Sequence, residues 1–397
     1  MSLTFPRGFR AAGVTAGMKP SGRPDLGLLV ADRVRGAAGL FTTNAFAAAP
    51  VRLSARRLAE GEPRAVVVNS GQANAGTGPR GHRDAETTTA AVATELGIDP
   101  SLVLACSTGV IGEPLDLGRF LGAVPGLVRD LSTDGGDAFA EAIMTTDTVP
   151  KAAAAERGPY RVGGCAKGVG MIAPDLRLAT MLAFLTTDAP VGTAELRRLA
   201  TEVLEPRFEA LTVDGCSSTN DTVLLFASGA AGGDPVLPGT SAFEQVREAL
   251  EEVGTSLVRQ LAHDAEGASH VLLVEASGAS NEADAWLVAR AIADSPLVKT
   301  AVFGGDPNPG RLLQAIGASG AAFEPEGVEA SIGGVRVVAD GQVVPSYRDV
   351  EAVQARQALQ TREVEIRVRL GDGPGSGGAI GVDLSYDYVK INAEYTT

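Results

Sequence analysis

The sequence predicts mixed α/β layers built on antiparallel sheets rather than a Rossmann-type sheet. Three observations carry this. Strand-like and helix-like stretches alternate along the chain, and no strand–GxGxxG–helix unit appears among them. Phe243, Val246, Leu250, Val253, Leu257 and Leu261 recur at three- and four-residue steps, the apolar face of one long helix. Residues 363–370, EVEIRVRL, alternate strictly, the pattern of a half-buried strand with one wet face.

Taken in order, residues 66–69 (VVVN) read as a short buried strand running into the loop SGQANAGTG. Residues 82–96 read as a helix, and 102–106 as a strand opening into STGVIG. Residues 136–145 look helical and end in TTDT. From Thr180 the apolar run TMLAFL reads as a buried strand. The helix over 241–261 opens on Ser241 with Glu244 three residues on, the spacing of a capping box. A strand over 270–275 precedes a helix over 281–293. The Gly/Pro-rich stretches 230–239 and 371–378 read as loops, and no repeat, low-complexity segment or linker interrupts the chain.

A chain of 397 residues has room for two domains or one large layered one. With 45% hydrophobic but only 5% aromatic residues, its core must be aliphatic. The net charge of −14, without a basic block, lacks the positive footprint that displaces counterions from nucleic acid, and an anionic membrane surface repels it. No apolar run has the length of a spanning helix, and the opening MSLTFPRGFRAAGV has no apolar signal core. Cys106, Cys165 and Cys216 are odd in number and far apart, as free thiols in a reducing cytoplasm would be. The expectation is a cytoplasmic protein with no nucleic-acid or membrane partner.

The ordinary catalytic signatures are missing. His82, His263 and His270 form no HExxH or other close ligand pair, so no metal is expected. GGCAKGVG (163–170) has glycine after Lys167 where a phosphate loop needs Ser or Thr. Cys106 and Cys165 sit among small and apolar residues, the setting of inert thiols, and no GxSxG elbow accompanies the histidines.

What remains is the seam in GVGMIAPDLRLATMLAF (168–184), where a glycine-rich approach meets the strand that begins at Thr180. Threonine is common at strand positions, and Thr180 reads equally as a plain strand starter. The chemical reading is that Thr180 is a nucleophile whose base is its own α-amine, with an ordinary pKa of roughly 7.7–8.0. That amine exists only if the Ala179–Thr180 bond is cut, which the hydroxyl does by attacking the preceding carbonyl. Residue types alone leave both readings open.

Longer motifs decide between them. GFRAAGVTAGMK (8–19), FTTNAF (41–46), VVVNSGQANAGTG (66–78), CSTGVIG (106–112), IMTTDTVPK (143–151), AKGVGMIAP with ATMLAF, TVDGCSSTNDT (212–222), SPLVKTAVFGGDPNPGR (295–311) and VKINAEYTT (389–397) follow one another along nearly the whole chain. In this the sequence resembles the ornithine acetyltransferase family, the bifunctional glutamate N-acetyltransferases of arginine biosynthesis. The resemblance implies an Ntn-hydrolase-like layered αββα sandwich. It implies self-cleavage at Ala179–Thr180 into an α chain, 1–179, and a β chain, 180–397, assembled as an α2β2 heterotetramer. It implies transfer of acetyl from N-acetylornithine to glutamate through an acetyl-threonine, with acetyl-CoA as a further acetyl donor in some members, and neither metal nor bound cofactor.

Residue by residue, the resemblance makes Thr180 the nucleophile and Thr108 with Gly109 the oxyanion hole. It makes Thr146, Lys167, Thr180, Glu266, Asn392 and Thr397 substrate-binding; a register one residue earlier would substitute Thr145 for Thr146. Lys167 suits a substrate carboxylate and Glu266 an amino group. The bland readings are a tight turn after a strand for Thr108–Gly109, a helix cap for Thr146, solvated surface charges for Lys167 and Glu266, and a frayed tail for the C-terminus. A strand pattern running to the last residues speaks against fraying. The chain departs from the family in DLRL (175–178), two residues longer before the scissile bond, in Pro309 for the usual tryptophan, and in Cys216–Ser217 for the usual Asp-Thr. The same self-processing chemistry also serves Thr-type aminopeptidases or amidases, which pass the acyl group to water. An unprocessed binding scaffold would need no cut at all, and a paralogue of specialised metabolism would act on another acylated basic amino acid.

Overall fold

The computed structural model describes residues 2–173, 181–344 and 350–394. The chain divides into two compact units, one on Met1–Phe208 and Cys216–Leu261, the other on Glu209–Gly215 and Ala262–Thr396.

The strands of the first unit are β1 (Phe9–Val14), β2 (Leu26–Ala31), β3 (Gly36–Phe41), β4 (Ala65–Gln72), β5 (Val103–Val110), β6 (Lys151–Arg157), β7 (Tyr160–Lys167), β8 (Leu182–Thr187) and β9 (Thr222–Ala227). They form two sheets, ordered β1-β2-β4-β5 and β3-β9-β8-β7-β6. Pairing is antiparallel except for one parallel pair in each sheet, β4 with β5 and β8 with β9. Its helices are α1 (Ala49–Glu60), α2 (Gly78–Leu96), α3 (Leu117–Arg129), α4 (Gly136–Ala142), α5 (Thr193–Leu199), α6 (Glu205–Glu209) and α7 (Ser241–His263).

The layers follow from the alternation of side chains along the strands. Leu29, Val66, Val68, Leu104 and Cys106 of the first sheet meet Leu182, Phe184, Leu224 and Phe226 of the second in one buried cluster, where Phe139 packs edge-on against Phe184 at 5.1 Å. The intervening residues Leu28, Val30, Val67 and Val103 face α2 and α3, against Val92, Phe120 and Leu127. On the far side of the second sheet, Gly164 leaves room for Val253 and Leu257 of α7. Gln260 of the same helix exchanges two hydrogen bonds of 3.1 Å with the backbone of Ala152 on β6. The result is helix, sheet, sheet, helix: the expected αββα sandwich, lying within the first unit. β7 and β8, on either side of 174–180, are antiparallel neighbours from Val162↔Thr187 to Lys167↔Leu182.

Several boundaries differ from the sequence reading for local reasons. α2 begins four residues earlier, with Pro79 in its first turn, where proline's fixed φ and missing N–H fit. The helix expected over 136–145 stops at Ala142, and the Thr145 N–H is taken by Asp147 Oδ2 at 3.0 Å. The cap of α7 is Thr240, whose hydroxyl accepts from the Phe243 N–H at 3.2 Å, not Ser241; Glu244 turns instead to Arg247.

The second unit contains β10 (Val271–Ala279), α8 (Glu282–Asp294), α9 (Pro296–Phe303), α10 (Pro309–Gly317), β11 (Glu329–Ile332), β12 (Val335–Ala339), β13 (Gln342–Val343), α11 (Val350–Ala358), β14 (Glu363–Arg369), β15 (Gly375–Val382) and α12 (Tyr386–Glu394). The sheet order is β13-β12-β11-β14-β10-β15. β14 alternates as its sequence predicts: Val364, Ile366 and Val368 are buried against Val288, Ile292 and Ile316, while Glu365, Arg367 and Arg369 face out. Pro309, the departure from the usual tryptophan, occupies the first turn of α10 behind the Asn308 cap.

Two expectations fail here. The stretch read as a loop over 371–378 contains the start of β15, because its glycines allow close packing rather than a turn. A Cβ at Gly377 would lie 2.7 Å from the backbone nitrogen of Trp286 on α8. The C-terminal segment read as strand-like is helical through Glu394. Replacing Gly377 with alanine pushes α8 off the sheet; we expect Gly377→Ala to lose about 1–3 kcal/mol in urea unfolding.

Candidate active site

At the end of the first sheet, β5 carries Thr108 and Gly109 inside the strand, two and three residues beyond its expected end and not in a turn. The ladder with β4 is irregular there: Thr108 pairs with both Ser70 and Gln72 around a bulge. Gly109 has φ +128°, and a Cβ on it would lie 2.3 Å from the Gly71 carbonyl carbon. A glycine is therefore required by both conformation and space. Lys19 packs over the other side of Gly71, with its Cγ 3.3 Å from where a Cβ would stand. Burial lowers the Lys19 ammonium to about 8, although Asp25 opposes the shift.

Lys167, the last residue of β7, is not a solvated surface charge: only 3% of it is exposed. Its Nζ donates to Thr108 Oγ1 at 3.2 Å. An ammonium on that oxygen's lone pair leaves the hydroxyl hydrogen to point elsewhere. Thr146 is half-buried beside Asp147, the residue that organises this corner. Asp147 Oδ1 accepts from Lys151 Nζ at 2.6 Å and from the Gly168 N–H at 2.9 Å. Burial works against the Asp147 charge, but Lys167, Lys151 and the Gly168 N–H outweigh it and hold the carboxyl at about 2.

The segment leading into β9 supplies two further buried groups. Asn220 Nδ2 donates to Ala73 O at 2.7 Å and to Ser107 O at 2.8 Å, fixing the residue before Thr108. Asp221, wholly buried, accepts the Met181 N–H on Oδ1, while Oδ2 has no hydrogen-bond partner among the described residues. Burial pushes its carboxyl well above the ordinary range, against the Met181 N–H and Lys167. Lys19, Asp147, Asn220 and Asp221 all lie in stretches that the sequence singles out, yet none has a role there; only strand pairing brings them to this corner.

Thr108, Gly109, Thr146 and Lys167 thus belong to one unit. Thr180, with the Ala179–Thr180 bond and the DLRL segment, lies outside the described residues, as does Thr397. In the second unit, Asn392 on α12 donates through Nδ2 to Glu266 Oε2 at 3.0 Å, so these two expected binding residues are joined to each other. Cys106 and Cys165 are fully buried, with burial pushing the first thiol up to about 12 and the second higher still. Neither has the depressed pKa of a catalytic cysteine. Among the described residues no helix is long and apolar enough to cross a membrane, and no group of three His, Cys, Asp or Glu is placed to hold a metal ion.

Against this geometry, the ArgJ family model matches residues 10–397. The chain belongs to the ArgJ family. It is 46% identical over 398 residues to the arginine biosynthesis bifunctional protein ArgJ of Thermus thermophilus, covering all of both chains. It is 47% identical to the protein of the same name from Parasynechococcus marenigrum, over all of this chain and 95% of that one. Among solved structures, the arginine biosynthesis bifunctional protein argJ of Bacillus halodurans matches with 37% identity and TM-score 0.50, over 53% of this chain and 97% of that one. A Mycobacterium tuberculosis ornithine acetyltransferase complexed with ornithine matches with 44% identity and TM-score 0.43, over 44% and 95%.

Two outcomes follow from the site. Asp147→Ala strands Lys151 in a dry interior and should cost about 3–5 kcal/mol of unfolding free energy at neutral pH. Because the folded-state carboxyl sits at about 2 against an ordinary 3.8, the wild-type advantage is full above pH 3.8 and fades as pH falls through 2. Urea titrations of both proteins across that window read this directly. A maleimide should label Cys216 alone in the native protein, since it is the exposed thiol, and all three cysteines after denaturation.

Proposed function

We propose that this ArgJ-family chain is an acetyltransferase of arginine biosynthesis that moves acetyl from N-acetylornithine to glutamate through an ester on Thr180. The observation that carries the reading is the buried Lys167–Thr108 contact beside Gly109, with Lys167 at the end of the strand whose neighbour follows Thr180. It joins a cation for a substrate carboxylate to a hydroxyl and a close-approach glycine suited to an oxyanion.

Activation comes first. Thr180 Oγ attacks the Ala179 carbonyl carbon, and the C–N bond to Thr180 breaks. The hydroxyl proton ends on the nitrogen, and water then cleaves the ester to leave a carboxylate on Ala179. The chain of the Bacillus halodurans structure supports such a cut: it is covered over 97% of its length yet spans little more than half of this sequence. Residues 180–397 are likewise a little over half.

In the transfer, the Thr180 amine accepts the Oγ proton as Oγ adds to the acetyl carbonyl. Thr108 and Gly109 stabilise the oxyanion, and the amide C–N bond breaks as the amine returns the proton to the departing nitrogen of ornithine. The α-amine of glutamate then attacks the acetyl ester, and Oγ leaves as the hydroxyl. Lys167 holds the α-carboxylate that both amino acids share, which lets one pocket serve them in turn, and Thr146 lines it. Glu266, held by Asn392, suits the amino group of ornithine. Thr397 completes the proposed binding set. No metal or bound cofactor enters these steps, and acetyl-CoA is a second acetyl donor for the same threonine. The enzyme works in the cytoplasm as an α2β2 assembly of its two pieces.

Denaturing gels should show two fragments in place of one 40.5 kDa chain, and Thr180→Ala should leave that chain whole and inactive. N-acetylglutamate should be the product; acetate in its place would mark an amidase. Thr108→Val, which keeps the shape of the side chain, should lower kcat about 10²–10³-fold with KM little changed.

A further inference from the structure

Lys19 carries a buried charge without a counter-ion. It lies in the connection from β1 to β2, and only 8% of it is exposed. Its Nζ donates to the Pro24 carbonyl at 2.6 Å; among the described residues that is the ammonium's one hydrogen bond, and it makes no ion pair. The nearby Asp25 is taken up by backbone. Its Oδ1 accepts the Ala16 N–H at 2.6 Å, and its Oδ2 accepts those of Met18 and Lys19 at 2.5 and 3.0 Å. Lysine is rarely buried without a partner, and Lys151 shows the usual arrangement, with Asp147 at 2.6 Å.

The unpaired charge stands at the candidate active site. The Lys19 stem packs on Gly71 of β4, Gly109 packs against the same Gly71 backbone, and Thr108 beside it receives Lys167. The loop that carries Lys19 also reaches the Thr146 side of this corner, where an Arg23 guanidinium nitrogen donates to the Thr145 carbonyl at 3.0 Å. Three N–H groups on the Asp25 carboxylate, with the Asp25 carbonyl on the Ser70 N–H at 2.9 Å, hold that loop against β4. Two buried ammonium groups thus flank one bulge.

The proposed substrates call for two cations in only one half of the exchange. Lys167 is assigned the α-carboxylate that both amino acids share. At the far end of the side chain they differ: N-acetylornithine ends in an ammonium, glutamate in a second carboxylate. We propose that Lys19 is the specificity-determining residue for the acceptor, its ammonium pairing with the side-chain carboxylate of glutamate. This deepens the proposed function and rests on it.

The charge of the group suits an alternating pocket. Burial lowers the Lys19 ammonium to about 8; Arg23 and Lys167 push the same way, while Asp25 and Asp147 oppose. At neutral pH it meets the incoming carboxylate in its charged form. It also sheds its proton at small cost when the cationic side chain of N-acetylornithine occupies the pocket.

The test uses full-length wild-type protein and Lys19→Met, with N-acetylornithine as donor and glutamate or glutamine as acceptor. Glutamine keeps the shape and the attacking α-amine and lacks the second charge. Wild type should favour glutamate in kcat/KM by about tenfold or more. Lys19→Met should bring the two acceptors within about threefold of each other, through a higher KM for glutamate. A purely structural loss would lower both acceptors together and keep the preference. That result, or a wild type indifferent to the acceptor's charge, overturns this inference and leaves the proposed function standing. A wild type that makes no N-acetylglutamate removes both. Should Lys19→Met fail to fold or remain uncut, the wild type decides by pH. Its glutamate preference should fall about tenfold between about pH 7 and about pH 9, as Lys19 loses its charge through about 8. A preference that stays flat over that window overturns the pairing.

Discussion

The carboxamide of Asn220 stitches the two sheets of the first unit together where the candidate active site lies. It belongs to the segment entering β9 in the second sheet, and its two hydrogen bonds end on Ala73 and Ser107 of the first. Both carbonyls are near the bulge that lifts Thr108 and Gly109 out of the regular ladder. Without that donor pair, both carbonyls would lose a hydrogen bond in the interior, and the residue before Thr108 would lose its tie to the second sheet. Asp221, the next residue, accepts the N–H of Met181, the residue before β8. Adjacent side chains thus reference the proposed oxyanion hole and the approach to β8 to a single stretch of backbone.

Charge is handled in the same compact way. A pocket for amino-acid substrates needs a desolvated cation, and burying Lys167 is unfavourable unless something compensates. Asp147 compensates, and because it also binds Lys151 and the Gly168 N–H it cannot follow Lys167 if that side chain moves toward a substrate. In the proposed reaction the cation turns to a carboxylate while its counter-ion stays in place. Preorganisation of this kind is what makes electrostatic stabilisation effective in a dry site.

The sequence made some elements legible and concealed others, for physical reasons. α7 and β14 announced themselves because each buries one regular face, and periods of 3.6 and 2 survive in the order of residues. β15 did not, since its glycines serve close packing under α8, and glycine reads as a turn when no neighbour is known. The end of β5 was hidden because its ladder is bulged just where Thr108 and Gly109 lie. Of the site, Lys167, Thr108 and Gly109 were reached through long motifs, and the structure brings Lys167 and Thr108 into contact. The roles of Asp147, Asn220 and Asp221 were not legible, although all three stand inside those motifs. Asp147 bonds Thr145 and Lys151 close by, but the partners that tie the three to the site, Gly168, Ser107 and Met181, are 21, 113 and 40 residues away, and the fold makes them neighbours.

The proposed reaction turns on a threonine hydroxyl that carries the acetyl group and gains its base by severing the backbone beside it. The sharpest check is tandem mass spectrometry of wild-type protein quenched in acid during turnover of N-acetylornithine. A peptide whose first residue is Thr180 should appear, heavier by one acetyl group on the side-chain oxygen, and freed of it when glutamate is added. An acetyl group on any other residue, or Thr180 still joined to Ala179 in active protein, would contradict this mechanism.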